Sequence, residues 1–276
     1  MSGKWRYRVA ITAGLACALA SGARCETLAD YASRASCLIR PNNVYKLSVG
    51  VQGTLAHVDV ERADKVKKGQ SIARLDSGVE ESQLAAARMR ASTDAIIALK
   101  AAVYDAAAAK VDRIRKLSAM SISSQQQLDD ATSAAAVAKA EVVQAELDKT
   151  LAGLEVQRLE ATLERRILRA PADAVVTSVD LHTGEFADPA NPVATISEID
   201  PLKVEVYLPA DAYPIVKVGA HARVTPAEPA GAAAADAVVS TKDPQIDASS
   251  GLFLVQLKMP NPDGAILAGV RCSARF

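Results

Sequence analysis

Aromatic residues are scarce: Phe, Trp and Tyr make up 4% of 276 residues, which excludes a core built on large rings. No charge of one sign predominates. Lys and Arg number 32 against 32 Asp and Glu, so the basic surplus of a nucleic-acid surface is missing. His57, His182 and His221 stand apart, none with Cys, Asp or Glu at metal-ligand spacing beside a second ligand. No phosphate loop, GxSxG elbow or Ser/His/Asp constellation appears. The four Met residues are scattered, so a thioether cluster for copper or silver is absent. Asp59 and Asp180 read as exposed strand-end residues, not a catalytic pair. The expectation is a protein that is not an enzyme, with no cofactor and no bound metal. Past residue 25 no apolar run approaches the ~20 residues that a membrane-spanning helix needs.

The first 25 residues have the pattern of a signal peptide. Lys4–Arg8 (KWRYR) is a positive start, Val9–Ala20 is a twelve-residue apolar run, and Ser21–Cys25 supplies small residues for cleavage after Ala20, Ala23 or Cys25. Lipidation at Cys17 or Cys25 suits the preceding residues poorly. The mature chain is expected to be exported, and soluble or peripherally bound.

Residues 79–166 contain no Pro and one Gly, Gly153, and are dominated by strong helix formers. The second half keeps a 3-4 spacing through Leu128, Ala131, Ala135, Ala138, Val142, Ala145, Lys149, Ala152, Val156, Leu159 and Leu163. So narrow a stripe is a coiled-coil seam, not a broad globular face. A weaker seam is expected at Ala86, Met89, Thr93, Ile96, Lys100, Val103, Ala107, Lys110, Ile114 and Leu117. Ser118–Asp130 interrupts the pattern, and Ser123 or Ser124 suits a helix cap. The segment reads as an antiparallel helical hairpin of two arms of roughly forty residues, about 60 Å long at 1.5 Å per residue.

Short alternating strands flank this insert. Gly53–Val66 matches the stretch from Ala174 onward: Gly53 with Ala174, Val58 with Val179 and Ala63 with Gly184, at a constant offset of 121 (174 − 53, 184 − 63). Each half alone would leave its apolar face in water, and together they can close a small sandwich. Beyond residue 200, Leu202–Pro209, Phe253–Met259 and Val270–Phe276 alternate, with a turn at Asn261–Gly264, as in a small β-barrel. Pro229–Ala237 reads as a loop or short helix.

This order of half-motif, hairpin, half-motif and barrel resembles the periplasmic adaptor proteins, or membrane fusion proteins, of tripartite efflux and HlyD-type secretion systems. The resemblance rests on Gly53–Ser77, Arg169–Val176 (RAPADAVV), His182–Ala187 (HTGEFA) and Ile199–Val224. It implies a mainly β chain with a long coiled-coil hairpin: a signal peptide at 1–25, a barrel-joining segment at 26–43, lipoyl-like halves at 44–78 and 167–199, the hairpin at 79–166 and a β-barrel at 200–276. The family often has Gly where this chain has Ala63 and Ala174. The chain ending at Phe276 leaves little room for the membrane-proximal domain of many adaptors of resistance-nodulation-division pumps.

The implied role is a periplasmic adaptor at the inner membrane. It would join an inner-membrane transporter to a TolC-like outer-membrane channel as a homo-oligomeric ring. A structural coiled-coil envelope protein is the alternative, and a lipoyl or biotinyl carrier a weaker one, since Leu75–Ser82 offers no Lys. Many adaptors have a tip pattern of Arg, Leu four later and Ser seven after that. Arg113, Leu117 and Ser124 match it, with Ser123 as the alternative Ser. Their ordinary roles would be solvated charge, seam residue and helix cap. The resemblance also implies that the first and last strands of the barrel pair, which would let Cys37 and Cys272 form a disulfide in an oxidising compartment. Two separate buried thiols are the other reading.

Overall fold

The computed structural model describes residues 35–276, so the expected signal peptide lies outside the described residues. The chain divides into two compact units, one of Ile39–Val204 with Lys258–Val270, the other of 35–38, Glu205–Leu257 and Arg271–Phe276. The strands are β1 (Ser36–Leu47), β2 (Gly53–Val58), β3 (Lys65–Val66), β4 (Ser71–Leu75), β5 (Ile167–Arg169), β6 (Ala174–Val179) and β7 (Phe186–Ala187). They continue with β8 (Ala194–Pro209), β9 (His221–Pro226), β10 (Ala235–Asp247), β11 (Leu252–Met259) and β12 (Arg271–Arg275). Between β4 and β5 run α1 (Gly78–Ser92), α2 (Ala95–Ala119) and α3 (Gln125–Glu164).

The repeat read from the sequence governs how the larger unit is laced. β2 and β6 begin 121 residues apart (174 − 53), as do β3 and β7 (186 − 65). The two halves exchange partners: Gly53 of β2 pairs with Ala187 of β7, and Ala174 of β6 with Val66 of β3. Backbone hydrogen bonds repeat the exchange. Leu55 donates to the Glu185 carbonyl at 2.8 Å and Val176 to that of Asp64 at 2.9 Å. Gly184 donates to Leu55 at 2.8 Å and Ala63 to Val176 at 2.9 Å. Neither half has a complete set of partners without the other. The apolar side chains follow suit. Leu47, Val60, Val66 and Ile72 pack with Ala170, Ala174, Val176, Ala194 and Ile196, and Val49, Leu55, Ala73 and Leu75 pack with Ala187 and Val193.

Ala63 and Gly184, equivalent in the repeat, both have positive φ, 76° and 90°. A turn at Ala63 that kept φ negative would have avoided strain; the lacing hydrogen bond to Val176 holds it in the left-handed region instead. That region costs an L-residue about 1–2 kcal/mol, while a glycine adds about 0.4–1 kcal/mol of unfolded-chain entropy. Ala63→Gly is therefore expected to stabilise the fold modestly, by about 0.5–1 kcal/mol. A higher urea midpoint at unchanged slope is the expected readout. A lower midpoint would mean that the Ala63 methyl contributes packing worth more than the strain.

The second arm of the hairpin, α3, follows its seam closely. All eleven expected positions are shielded, with Ala131, Ala138, Ala145 and Leu159 buried. The first arm corrects the sequence reading in two ways. It is broken, because Thr93 is extended (φ −87°, ψ 132°) between α1 and α2. Its seam keeps Lys100, Ala107 and Ile114 of the expected positions, each half-buried, and otherwise runs along other residues. Leu84 and Ala87 are buried against Leu159, and farther on Val111 is buried while Ile97, Tyr104 and Ile114 are half-buried. Met89, Ile96 and Val103 are exposed, and Leu117, expected on the seam, is 41% exposed. In so Ala-rich an arm, adjacent stripes differ little in apolarity. The break at Thr93 resets the phase, and ion pairs across it hold the arms in register: Asp94 with Lys149, and Lys100 with Glu141 at 2.8 Å.

In the smaller unit β9 pairs antiparallel with both β10 and β12, and β12 pairs with the start of β1. Strand neighbours run β1-β12-β9-β10-β11-β8, and β8 in turn pairs with β1. Alternation places Val206, Leu208, Val224, Ala237, Val239, Phe253, Val255, Leu257 and Ala274 in the interior. Tyr213 meets Phe253 edge-on at 5.1 Å. The Lys242 ammonium stands 3.8 Å from the Tyr213 ring centroid and donates to the Tyr213 and Val216 carbonyls.

Candidate partner-contact site at the hairpin tip

The tip satisfies its own backbone. Met120 and Ile122 both donate to the Leu117 carbonyl, at 3.1 and 2.9 Å, and Ser121 donates to Ser118 at 2.9 Å. Ser121 has φ +60°, the left-handed step that turns the chain. Ser124 caps α3: its hydroxyl accepts from the Gln127 amide at 3.3 Å, and the Gln127 side chain accepts from the Ser124 amide at 3.2 Å. This reciprocal capping box meets two of the helix's open donors. Ser123 donates to the Ile114 carbonyl at 3.2 Å, stitching the turn to α2. The turn thus needs no second molecule to complete its hydrogen bonds.

What it leaves in solvent is apolar and basic. Met120 and Ile122 are 70% and 69% exposed. Arg113 and Leu117 lie one helical turn apart on α2, and both are exposed. Arg115 pairs with Asp112 at 3.0 Å, whereas Arg113 has no ion-pair partner among the described residues. Ser124 stands across the turn, its oxygen engaged in the cap and its O–H still able to donate. The apolar pair Met120 and Ile122 was not among the expected site residues. Its signal was two large apolar side chains in a Ser-rich turn, and among the described residues none covers them.

Three arginines fasten the root. Arg166 donates to the Asp76 carbonyl at 2.9 Å and pairs with Glu80; Arg165 reaches the Gly50 carbonyl at 3.4 Å and Arg169 that of Gly69 at 3.1 Å. A Cβ on Gly53 would lie 3.2 Å from the Arg166 guanidinium, tighter than most side-chain contacts. The hydrogen bond from Arg169 holds the Glu164 carboxyl below the usual carboxylate range.

Cys37 and Cys272 are opposite one another in the β1–β12 register, with Cα atoms 4.9 Å apart, and the structure joins them as a disulfide. Asp59, after β2, accepts from Ser71 at the start of β4 at 2.7 Å, and Asp180, after β6, accepts from Ser178 of β6 at 3.3 Å, so each carboxylate is engaged at a strand end. Among the described residues no three His, Cys, Asp or Glu side chains group closely enough to hold a metal. No described helix is long and apolar enough to cross a membrane.

No protein-family profile matches the chain. An uncharacterized protein of Haemophilus influenzae is 26% identical over 234 residues, which cover 84% of this chain and 54% of that protein. The chain thus spans about half the length of that curated relative. Among solved structures, MacA from Actinobacillus actinomycetemcomitans is similar with a TM-score of 0.72 and 21% identity, over 87% of this chain and 76% of the other. The membrane fusion protein Spr0693 from Streptococcus pneumoniae gives a TM-score of 0.50 and 15% identity, over 87% and 96%. At these identities the likeness is one of architecture: two exchanged strand halves, a long helical hairpin cut into them and a further β unit together make the fold of MacA.

Proposed function

We propose that this chain is a periplasmic adaptor that couples an inner-membrane transporter to an outer-membrane channel for efflux across the cell envelope. The observation that carries this reading is the placement of the hairpin. A long helical hairpin, its first arm made of α1 and α2 and its second of the Ser124-capped α3, leaves the junction of two halves that cannot close without each other, and its tip exposes Met120 and Ile122. A carrier domain would present a single Lys at that junction, and a purely structural coiled coil would not need the laced halves. The laced unit is the lipoyl-like domain, and the strand cycle β1-β12-β9-β10-β11-β8 the β-barrel. The name of Spr0693, a membrane fusion protein, supports the same role. In this reading residues 1–25 direct export, several copies form a ring, the transporter is of the resistance-nodulation-division type and the channel is TolC-like. Arg113, Leu117 and Ser124 contact that channel, and the cystine Cys37–Cys272 persists in the periplasm.

A photo-crosslinker at Met120 in the native envelope tests the proposal. It is expected to capture an outer-membrane channel. Capture of soluble proteins alone, or of nothing while a channel is present, would remove the adaptor reading.

A further inference from the structure

The hairpin is packed at its root and again toward its tip, with a gap between. At the root Leu84, Ala87 and Leu159 are buried together, with Val156 and Leu163 against them. Toward the tip Val111, Ala131, Ala138 and Ala145 are buried. Between these sections no residue of 88–110 on the first arm, and none of 146–158 on α3, is buried. The α3 seam has its one charged residue in that gap: Lys149, which reaches Asp94. With side chains 38% and 67% exposed, this ion pair holds two helices far less firmly than buried packing does.

Both arms are weak at the same height. Arg88 meets Glu160 on the root side and Asp94 meets Lys149 on the tip side, so Thr93 is level with the α3 stretch between residues 149 and 160. Gly153, the one glycine of residues 79–166, lies in that stretch. Nothing stands within 4 Å of the place its Cβ would take, so no close approach calls for a glycine there. What a glycine does supply inside a helix is backbone freedom. In the first arm Ser92, Thr93 and Asp94 are short polar residues that compete for backbone groups. The Ser92 hydroxyl donates to the Met89 carbonyl at 3.1 Å, and the Thr93 hydroxyl accepts from the Ala95 amide at 3.5 Å. Among the described residues no backbone hydrogen bond joins α1 to α2. The root, by contrast, is tied by Arg166 to the Asp76 carbonyl and to Glu80.

We propose that the hairpin is a jointed arm: the section beyond Thr93 and Gly153 pivots on a fastened root, and the Asp94–Lys149 pair is the clasp that limits its swing. The 25 residues of α2 span about 37 Å at 1.5 Å each. A bend of roughly 20° at the joint, the size of a helix kink, displaces the tip by about 13 Å, more than the width of a helix. The exposed Met120 and Ile122 thereby meet a partner over a range of positions while the root stays in place. The inference goes beyond the adaptor reading and does not depend on it, because every part of the joint belongs to one copy of the chain.

Hydrogen exchange of the full mature chain tests the joint without any substitution. Amides of residues 150–156 are expected to exchange at least tenfold faster than those of 135–145 and 157–163. Uniform protection along α3 would overturn the inference. Spin labels then locate the pivot, with the native cystine intact and Cys25 replaced by Ser. Gln52, Gln83 and Ala109 are all exposed and accept labels as cysteines. The distance distribution between Gln52→Cys and Ala109→Cys is expected to be at least twice as broad as that between Gln52→Cys and Gln83→Cys. Gly153→Ala combined with Lys149→Leu carries the helix and its apolar seam through the gap. It should narrow the first distribution to the width of the second and slow exchange at 150–156 at least tenfold. Equal widths for the two label pairs in the otherwise unaltered hairpin would mean a rigid arm or one that swings from its root. A broad distribution that survives Gly153→Ala with Lys149→Leu would place the motion elsewhere. Either result overturns the joint and leaves the adaptor reading, which the Met120 probe tests, untouched.

Discussion

Replacing Cys272 by Ser is expected to lower the unfolding free energy of the oxidised protein by about 5 kcal/mol in the chain-entropy account of crosslinks. The two cysteines are 235 residues apart, so the bond closes nearly the whole described chain. Cross-linking an unfolded chain over so long a loop removes many conformations, and the entropy saved grows with the logarithm of the loop. The native pairing needs no backbone movement to accept the bond, since Cys37 and Cys272 are register partners with Cα atoms 4.9 Å apart. β1 and β12 are register partners at Cys37–Cys272 and Leu38–Arg271, and Ile39 adds two backbone bonds beyond them, donating to Val270 at 2.9 Å and accepting from Gly269 at 2.7 Å, so a short ladder is left to hold that edge once the crosslink is gone. Urea unfolding of wild-type protein with and without reductant should reproduce the loss without any substitution, and Cys272→Ser should then be insensitive to reductant. Alkylation of both cysteines in denatured, unreduced protein, together with a midpoint indifferent to reductant, would show that the thiols stay separate.

The parts of the fold that the sequence makes legible are those in which one residue type excludes alternatives. The α3 seam could be read because Leu128, Val142, Val156, Leu159 and Leu163 anchor a phase that the intervening alanines continue, and all eleven positions are shielded. The repeat could be read because Gly184 marks a left-handed turn, and its partner Ala63 adopts the same conformation without a glycine to announce it. The first arm resisted the same reasoning. Its seam is Ala-rich, its exposed stripe holds larger apolar residues than much of its buried one, and the extended Thr93 breaks the phase. A large side chain on a helix is evidence for burial only when no second surface competes for it, and here the exposed stripe at Ile96, Leu99 and Val103 competes. The exchange of β3 and β7 between the halves was also hidden. Two-residue strands leave no alternation to read, and their pairing depends on contacts more than 100 residues away. At the tip, the family resemblance implies Arg113, Leu117 and Ser124, but only the structure separates Ser124, committed to the α3 cap, from Arg113, which is left with its charge unpaired among the described residues.

That difference sets the expected outcome of a charge reversal at the tip. Arg113→Asp should leave folding intact, because substitution of an exposed residue with no local partner changes stability by less than ~0.5 kcal/mol. Its effect on transport should be large. Under the adaptor proposal Arg113 faces helices of the channel, where a guanidinium can bind carboxylates or carbonyls through its planar fork. An aspartate there repels any acid and offers no donor, and like-charge contacts at an interface cost several kcal/mol. Transport in cells is therefore expected to fall at least tenfold at normal protein level, as a loss of several kcal/mol in docking would produce. Arg113→Lys should fall between wild type and Asp, keeping the charge and losing the fork. Ser124→Ala should behave differently: it removes the α3 cap and costs about 1 kcal/mol of stability whether or not a channel is bound. The pair of variants thus separates recognition from folding. Arg113→Asp acts on transport and not on the melt, and Ser124→Ala on the melt first. Normal efflux with a stably expressed Arg113→Asp chain would take Arg113 off the contact surface and leave Met120 and Ile122 as the side chains through which the tip makes its contact.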